Sequence, residues 1–349
     1  MTTGPKDLAV YARNLCKAYF VPVLKSGFLG GVRTLLSQEK RRVDAVNDVS
    51  FDIRPGEFVG YIGPNGAGKS TTVKMLTGIL HPTSGEVLVD GLSPQRQRQD
   101  LARRIGVVFG QRTQLWWDLP TIDSFDILSA MYDVSASQYR SFLKKFDDLL
   151  GIGEFLDTPV RRLSLGQRMR AELAAALIHR PSILFLDEPT IGLDVVAKRR
   201  MREFLAAVNA SREVTVLLTT HDLKDIEELC RRVMIVNHGS LIYDGTLESL
   251  RREVHLPTVL EVKYYGLPEG LGAGSFIGPG GEVSAAPPRD AWQIASVNAD
   301  SRSVRVLFDR SQTPAPAVIA AMQALGEIRD VSLEEPAIDD IIRRILEAK

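Results

Sequence analysis

The chain has 349 residues, enough for two domains, and balances 43 Lys and Arg against 43 Asp and Glu. Hydrophobic residues make up 44% and charged residues 25%, as in ordinary globular chains that bury a core without staples. Zero formal charge argues against bulk nucleic-acid binding. Two cysteines, Cys16 and Cys230, exclude a disulfide scaffold and fit a reducing compartment or one disulfide, and no run of about 18 apolar residues offers a membrane span. The opening MTTGPKDLAVYARNL lacks a basic start followed by an apolar stretch, so no signal peptide is expected.

In chain order, LAVYARNLCKAYF at 8–20 predicts a strand. Residues 21–45 interrupt the pattern. Phe28, Leu29, Val32, Leu35 and Leu36 recur at roughly helical spacing among Lys25, Arg33, Lys40, Arg41 and Arg42, while Gly27, Gly30 and Gly31 work against one continuous helix. An amphipathic hairpin or short helix is expected there. Two strand-like segments flank the turn at Pro55 and Gly56, a helix is expected over 69–80, and further strands near 85–90 and in RRIGVVFG. The strands near 46–62 and 85–90 suggest an added antiparallel part. From about 115 to 180 the spacing turns helical and ends in the alanine-rich LGQRMRAELAAALIH. Strands (SILFLDEP, EVTVLLTTHD) then alternate with helices (AKRRMREFLAAVNA, DIEELCRR) before a hairpin, RVMIVNHGSLIYDG. This alternation predicts α/β layering on a largely parallel sheet. Beyond residue 245 a small α+β domain is expected over 246–349, with strands VLEVKY, WQIASV, SVRVLF and IRDVSLEEP and helices PAPAVIAAMQALG and AIDDIIRRILEAK.

The most informative string is GPNGAGKST at 63–71, which follows the apolar EFVGYI and opens a helix. Gly63, Gly66 and Gly68 let the backbone turn tightly around an anion, so that amide groups and the helix N-terminus face phosphate. Lys69 reaches the β- and γ-phosphates, Ser70 is placed to ligate Mg²⁺, and Thr71 lies one step into the helix. In ILFLDE, four apolar residues carry a core strand to Asp187, an acid placed for Mg²⁺, and to Glu188, placed to deprotonate or orient a water. Ser164 and Gly166, at the start of a helix expected over 167–179, offer a second anion-binding helix N-terminus or, on the string alone, a serine-capped helix.

Taken together, Tyr19, GPNGAGKST, Gln111, LSLGQ at 163–167, LFLDEPT at 184–190, GLD at 192–194 and His221 resemble, in their order, an ABC transporter ATP-binding subunit. The resemblance covers about residues 10–245. It extends to the subunits of ABC-2-type export permeases, most closely the viologen-exporter and daunorubicin-resistance branch, through FGQRTQLWWDLP and LSLGQRMRAELAAALIHRP. It implies a P-loop NTPase fold over 1–245 with an antiparallel β part, an insertion at 21–45 and a helical subdomain at about 115–180. ATP and Mg²⁺ are the implied ligands. Among residues that match the family, Tyr19 would stack on adenine, or else fill strand packing. Asn65 belongs to the phosphate cradle, Gln111 would sense Mg²⁺ and the attacking water, and His221 would meet the γ-phosphate and position Glu188. Ser164, Gly166 and Gln167 would face ATP held by a partner copy. Asp194 would cross the dimer interface, cap a helix, or do both. The sequence departs from the commoner LSGGQ in having Leu165, a residue that requires ordinary backbone angles.

The implied activity is ATP hydrolysis that drives a separately encoded permease from the cytoplasmic face of the cell membrane. The implied partners are a second copy and one or two ABC-2-type transmembrane subunits, with no nucleic acid. Trp116 and Trp117 would form a groove for a permease helix or pack within the helical subdomain. Residues 21–45 would meet permease and inner-leaflet lipid or face solvent, and the C-terminal domain would support dimerisation or serve as a stabilising appendage. The alternatives are a soluble ABC ATPase acting on ribosomes or nucleic acid, and an importer motor built from the same residues.

Overall fold

The computed structural model describes residues 4–22, 40–110, 112–210, 213–254, 257–278, 281–284, 292–310, 312–335 and 338–348. The chain divides into two compact units, Met1–Thr246 and Leu247–Lys349.

The first unit runs β1 (Val10–Pro22), β2 (Lys40–Ile53), β3 (Phe58–Ile62), α1 (Lys69–Leu76), β4 (Ser84–Val89), α2 (Arg98–Ala102), β5 (Ile105–Phe109), α3 (Thr121–Met131), α4 (Ala136–Leu150), α5 (Leu165–Leu177), β6 (Ile183–Asp187), α6 (Val195–Asn209), β7 (Thr215–Thr219), α7 (Leu223–Leu229), β8 (Arg232–Asn237) and β9 (Ser240–Thr246). One sheet has the order β5-β6-β7-β3-β8-β9 and is parallel apart from the β8–β9 hairpin. Its strands β3, β6 and β7 are buried at every position, which is why they read as unbroken apolar runs rather than alternating ones. A second sheet, β2-β1-β4, is antiparallel. Its inward residues Leu15, Phe51 and Val89 join Val73 and Leu76 of α1 and Phe185 of β6 in one core. Phe125 of α3, Phe142 and Phe146 of α4 and Phe204 of α6 contact one another in sequence, edge-to-face or tilted, with Phe142 and Phe146 centroids 4.3 Å apart.

Several sequence expectations shift. The residues at 46–62 do not share one antiparallel part: β2 ends at Ile53 in the antiparallel sheet, while β3 enters the parallel one. Helix α1 stops at Leu76 rather than residue 80, because Thr77 and Gly78 turn the chain out of the helix, Gly78 at φ +74°. Helix α5 spans Leu165–Leu177 rather than 167–179, because Ser164 caps it two residues earlier. The expected insertion is narrower than 21–45. β1 continues to Pro22 and β2 begins at Lys40, paired as Tyr19 with Val43 and Pro22 with Lys40 in a two-stranded ribbon. Phe28, Leu29, Val32, Leu35 and Leu36 lie outside the described residues.

The second unit begins with α8 (Leu247–Val254) and continues through β10 (Thr258–Tyr264), β11 (Phe276–Ile277), β12 (Val283–Ser284), β13 (Trp292–Asn298), β14 (Ser303–Phe308), α9 (Ala315–Leu325), β15 (Ile328–Glu334) and α10 (Ile338–Ala348). Its sheet, β12-β11-β13-β14-β10-β15, is antiparallel. Burial alternates along β10, which turns Leu260, Val262 and Tyr264 inward against Val318 and Met322 of α9. The buried Tyr264 hydroxyl donates to the Met322 carbonyl at 2.9 Å.

Candidate nucleotide site

The chain leaves the buried strand β3 at Gly63, turns, and enters α1 at Lys69. This turn forms the wall of a cavity of about 670 Å³, lined by Gly63, Asn65, Gly66, Lys69, Glu188 and His221. Gly68, Ser70 and Thr71 also face it, and Ala45 of β2 closes one side. Gly68 cannot be exchanged freely: its φ is +101°, and a Cβ there would lie 2.3 Å from the Ala45 carbonyl oxygen. Lys69, 6% exposed, folds back to donate to the carbonyls of Gly63 (2.7 Å) and Pro64 (3.2 Å). Burial pulls its pKa below the ordinary value, against the opposing effect of Glu188 and Asp187. An ammonium held on two carbonyls beside a glycine turn is ready to exchange them for phosphate oxygens.

Asp187 ends β6. Its Oδ1 accepts from the Ser70 hydroxyl at 3.0 Å and from the Thr219 hydroxyl at 2.7 Å. A hydroxyl and a carboxylate in contact beside a phosphate cradle are the donors a Mg²⁺ ion shares with phosphate, and no cluster of three or more His, Cys, Asp or Glu competes among the described residues. The next residue, Glu188, has φ +56°, a left-handed backbone that costs a non-glycine residue on the order of 1 kcal/mol. Its amide nitrogen is pinned to the Thr219 carbonyl (3.0 Å) and hydroxyl (3.1 Å). The bend aims its carboxylate into the cavity, where Oε1 lies 3.9 Å from Lys69 Nζ and Oε2 pairs with His221 Nδ1.

A buried polar network lies beneath this pair. Asp225, fully buried on α7, accepts from Thr190 (2.7 Å), Thr220 (3.3 Å) and Arg202 (3.0 Å). Thr190 follows Glu188 by two residues and Thr220 precedes His221, so one carboxylate braces both arms of the Glu188–His221 pair. Sequence reasoning missed Asp225, Arg202 and Thr219. The threonines beside LDEP and before His221 were the available signal.

The LSLGQ segment stands apart. The Ser164 hydroxyl accepts from the Gln167 amide (3.2 Å), and the Gln167 side chain accepts from the Ser164 amide (2.9 Å), a reciprocal cap that leaves the serine O–H free to donate. Leu165 takes ordinary helical angles at the first position of α5, and its Cδ2 would lie 2.9 Å from a Cβ placed on Gly192. Asp194 caps α6, accepting from the Ala197 amide at 2.8 Å. Ser164, Gly166, Gln167 and Asp194 line a cavity of about 170 Å³ that, among the described residues, shares no lining residue with the cradle of the same chain.

Tyr19 is not among the residues lining the cradle cavity. It is exposed on β1, with the Lys17 ammonium 5.5 Å from its ring centroid. Gln111 lies outside the described residues. Just beyond it, Glu172 of α5, 3% exposed, accepts from the Gln114 amide (3.2 Å) and the Thr113 hydroxyl, and burial raises its pKa above the ordinary carboxyl value. Trp116 and Trp117 remain exposed, and the Arg168 guanidinium stands 5.9 Å from the Trp117 ring centroid.

Residues 46–191 match the protein family described as ABC transporter. The chain is 34% identical over 212 residues to the ABC transporter ATP-binding protein NatA of Bacillus subtilis, a match that spans 61% of this chain and 86% of that protein. It is 36% identical over 214 residues to a Nod factor export ATP-binding protein I of Burkholderia thailandensis, spanning 61% and 70% of the two chains. Longer curated relatives are matched over only 12% to 36% of their length. Among solved structures, a dimeric ATP-binding cassette in a post-hydrolysis state with ADP and phosphate superposes with a TM-score of 0.57 at 26% identity, covering 68% of this chain and 98% of that one.

Proposed function

The chain belongs to the ABC transporter ATP-binding family, and from that premise we propose that it is the motor of an ABC-2-type exporter, working as a head-to-tail dimer beneath a separate permease at the cytoplasmic membrane face. The domain is an ATP-hydrolysing enzyme that takes ATP with Mg²⁺. The observation that carries the mechanism is the Glu188–His221 pair held at the mouth of the phosphate cradle, beside Lys69.

In this reading the backbone of Gly63–Gly68 and the Lys69 ammonium receive the β- and γ-phosphates. Ser70 and Asp187, with Gln111, hold Mg²⁺, which neutralises phosphate charge when bound. Glu188 takes a proton from water as its oxygen bonds to the γ-phosphorus and the bond to the bridging oxygen breaks, releasing ADP and phosphate. His221 keeps the Glu188 carboxylate aimed. Ser164, Gly166 and Gln167 complete the site of the partner copy, which agrees with their separation from the cradle of their own chain, and Asp194 crosses between the copies. Tyr19 supplies the adenine wall from outside the phosphate cavity.

Export is favoured by the likeness to a Nod factor export subunit. The exposed Trp116 and Trp117 offer the permease an aromatic surface. At the ribbon base, exposed Phe20 and Val21 lie opposite Arg42 and Arg41, a pairing of apolar and basic side chains suited to anionic lipid. No helix among the described residues is long and apolar enough to cross a membrane. The C-terminal domain strengthens the dimer.

Two measurements test this reading. A mixed dimer carrying Ser164→Arg in one protomer should lose hydrolysis in the cradle of the other protomer; loss confined to the substituted protomer's own cradle rejects the composite site. Photo-crosslinking from positions 116 and 117 in cells should capture a polytopic membrane protein, and ATP should drive its cargo into inverted vesicles. Capture of ribosomal proteins, or ATP-driven movement out of inverted vesicles, rejects the exporter.

A further inference from the structure

A second cavity of about 240 Å³ adjoins the nucleotide cavity, and of its lining residues the steps above use only Ser70, Asp187 and Glu188. The two share Ser70 and Glu188 as walls, so they meet where the γ-phosphate is cut. The rear chamber contains Asp187 on the shared side and two cations, Lys74 and Arg112. Lys74 follows Ser70 by four residues on α1, one turn along the same face. Neither cationic side chain has a hydrogen-bond or ion-pair partner among the described residues, and both continue into the wall of a neighbouring cavity beside Ile79 and Val107.

The half-buried Lys74 and the exposed Arg112 share this chamber with Asp187 and Glu188, so a cationic wall and an acidic wall line one space. We propose that the rear chamber is a binding site for inorganic phosphate, holding the product of hydrolysis on its way out. The inference rests on ATP hydrolysis in the front cavity. Once the phosphorus–oxygen bond is broken and Glu188 has passed the proton it took from water on to phosphate, its carboxylate repels the product. Lys74 and Arg112 attract it from the far side, and the planar guanidinium presents paired N–H groups that match two phosphate oxygens. The product thereby leaves without displacing ADP from the glycine turn.

The test titrates inorganic phosphate into the full chain loaded with Mg²⁺ and a non-hydrolysable ATP analogue. The analogue's own γ-phosphate fills the front site, so saturable binding reports the rear chamber alone. The expected result is saturable binding in the wild type, weakened about tenfold or more in the Lys74→Ala/Arg112→Ala variant and largely retained in Lys74→Arg and in Arg112→Lys. Analogue affinity should be the same in all four proteins, which shows that each is folded. Inhibition of steady-state hydrolysis by added phosphate should weaken in parallel. Absence of saturable binding in the wild type, or equal binding in the double alanine variant, overturns the proposal. Absence of ATP hydrolysis in the wild type would instead overturn the motor reading, and the titration reads independently of it.

Discussion

Arg202→Met is the sharpest test of the network beneath the Glu188–His221 pair. Arg202 is 6% exposed and Asp225 fully buried, their atoms 3.0 Å apart, and Glu228 is the guanidinium's second partner at 2.8 Å. Methionine keeps much of the side-chain volume but leaves Asp225 as a buried carboxylate with only the Thr190 and Thr220 hydroxyls to meet it. Removing one partner of a buried ion pair costs about 3–5 kcal/mol. In a unit of this size each kcal/mol lowers Tm by about 2–4 °C, so a fall on the order of 10 °C is expected. Arg199→Met is the control. Its pair with Glu203 is exposed, and such pairs contribute about 0–1 kcal/mol, so Tm should barely move. The assay is thermal denaturation of the full chain, following the transition that Mg-ATP shifts upward, since ligand binding marks the unit that carries the site. Adding Asp225→Asn to Arg202→Met removes the stranded charge, keeps an acceptor for Thr190, and should restore most of the loss. If Arg202→Met melts within about 1 °C of the Arg199→Met control, the buried pair does not carry the load assigned to it.

Three further outcomes are expected. Glu188→Gln should keep ATP affinity while turnover falls by about 10²–10⁴-fold; unchanged kcat would remove Glu188 as the base. Gly68→Ala combines a left-handed backbone with a 2.3 Å approach to Ala45, and should cost more than about 2 kcal/mol and abolish ATP binding by calorimetry; a wild-type Tm and affinity would contradict the cradle geometry. Glu172 has a raised carboxyl pKa in the fold, so the folded state holds its proton to higher pH than the unfolded chain. Its contribution is greatest below the ordinary carboxyl value and is lost as pH rises through the raised one. Glu172→Gln should therefore gain Tm relative to the wild type across that window, and parallel pH profiles would refute the assignment.

The cradle was legible in the sequence because its parts are contiguous: an apolar strand, three loop glycines, a lysine and the first turn of a helix lie within fourteen residues, 58–71. Asp187 and Glu188 were legible because a strand buried on both faces leaves an uninterrupted apolar run ahead of them. The bracing of Glu188 and His221 was not, since Thr190, Arg202 and Asp225 come together only when α6 and α7 pack, and an acid on an amphipathic helix reads as solvent-facing. Glu172 was hidden for the same reason, set in an alanine-rich helix whose partners lie 58 and 59 residues away. Helix ends differ from the expectation by two to four residues because caps and turns set them: Ser164 starts α5 two residues early, and Gly78 turns the chain out of α1.

The contact between Leu165 and Gly192 bears on how such motors can be recombined. In place of the first glycine of LSGGQ this chain has a leucine whose methyl group comes within 2.9 Å of where a Cβ at 192 would sit, at a residue whose φ of +72° already favours glycine. The two positions form a matched pair, one bulky and one bare, 27 residues apart. Transplanting LSLGQ alone into another ATPase would press a leucine against whatever side chain that protein carries in the second turn, and grafting LSGGQ here would leave a hole above Gly192. Chimaeras should exchange both segments together, and directed evolution starting from either single exchange should recover the other half first.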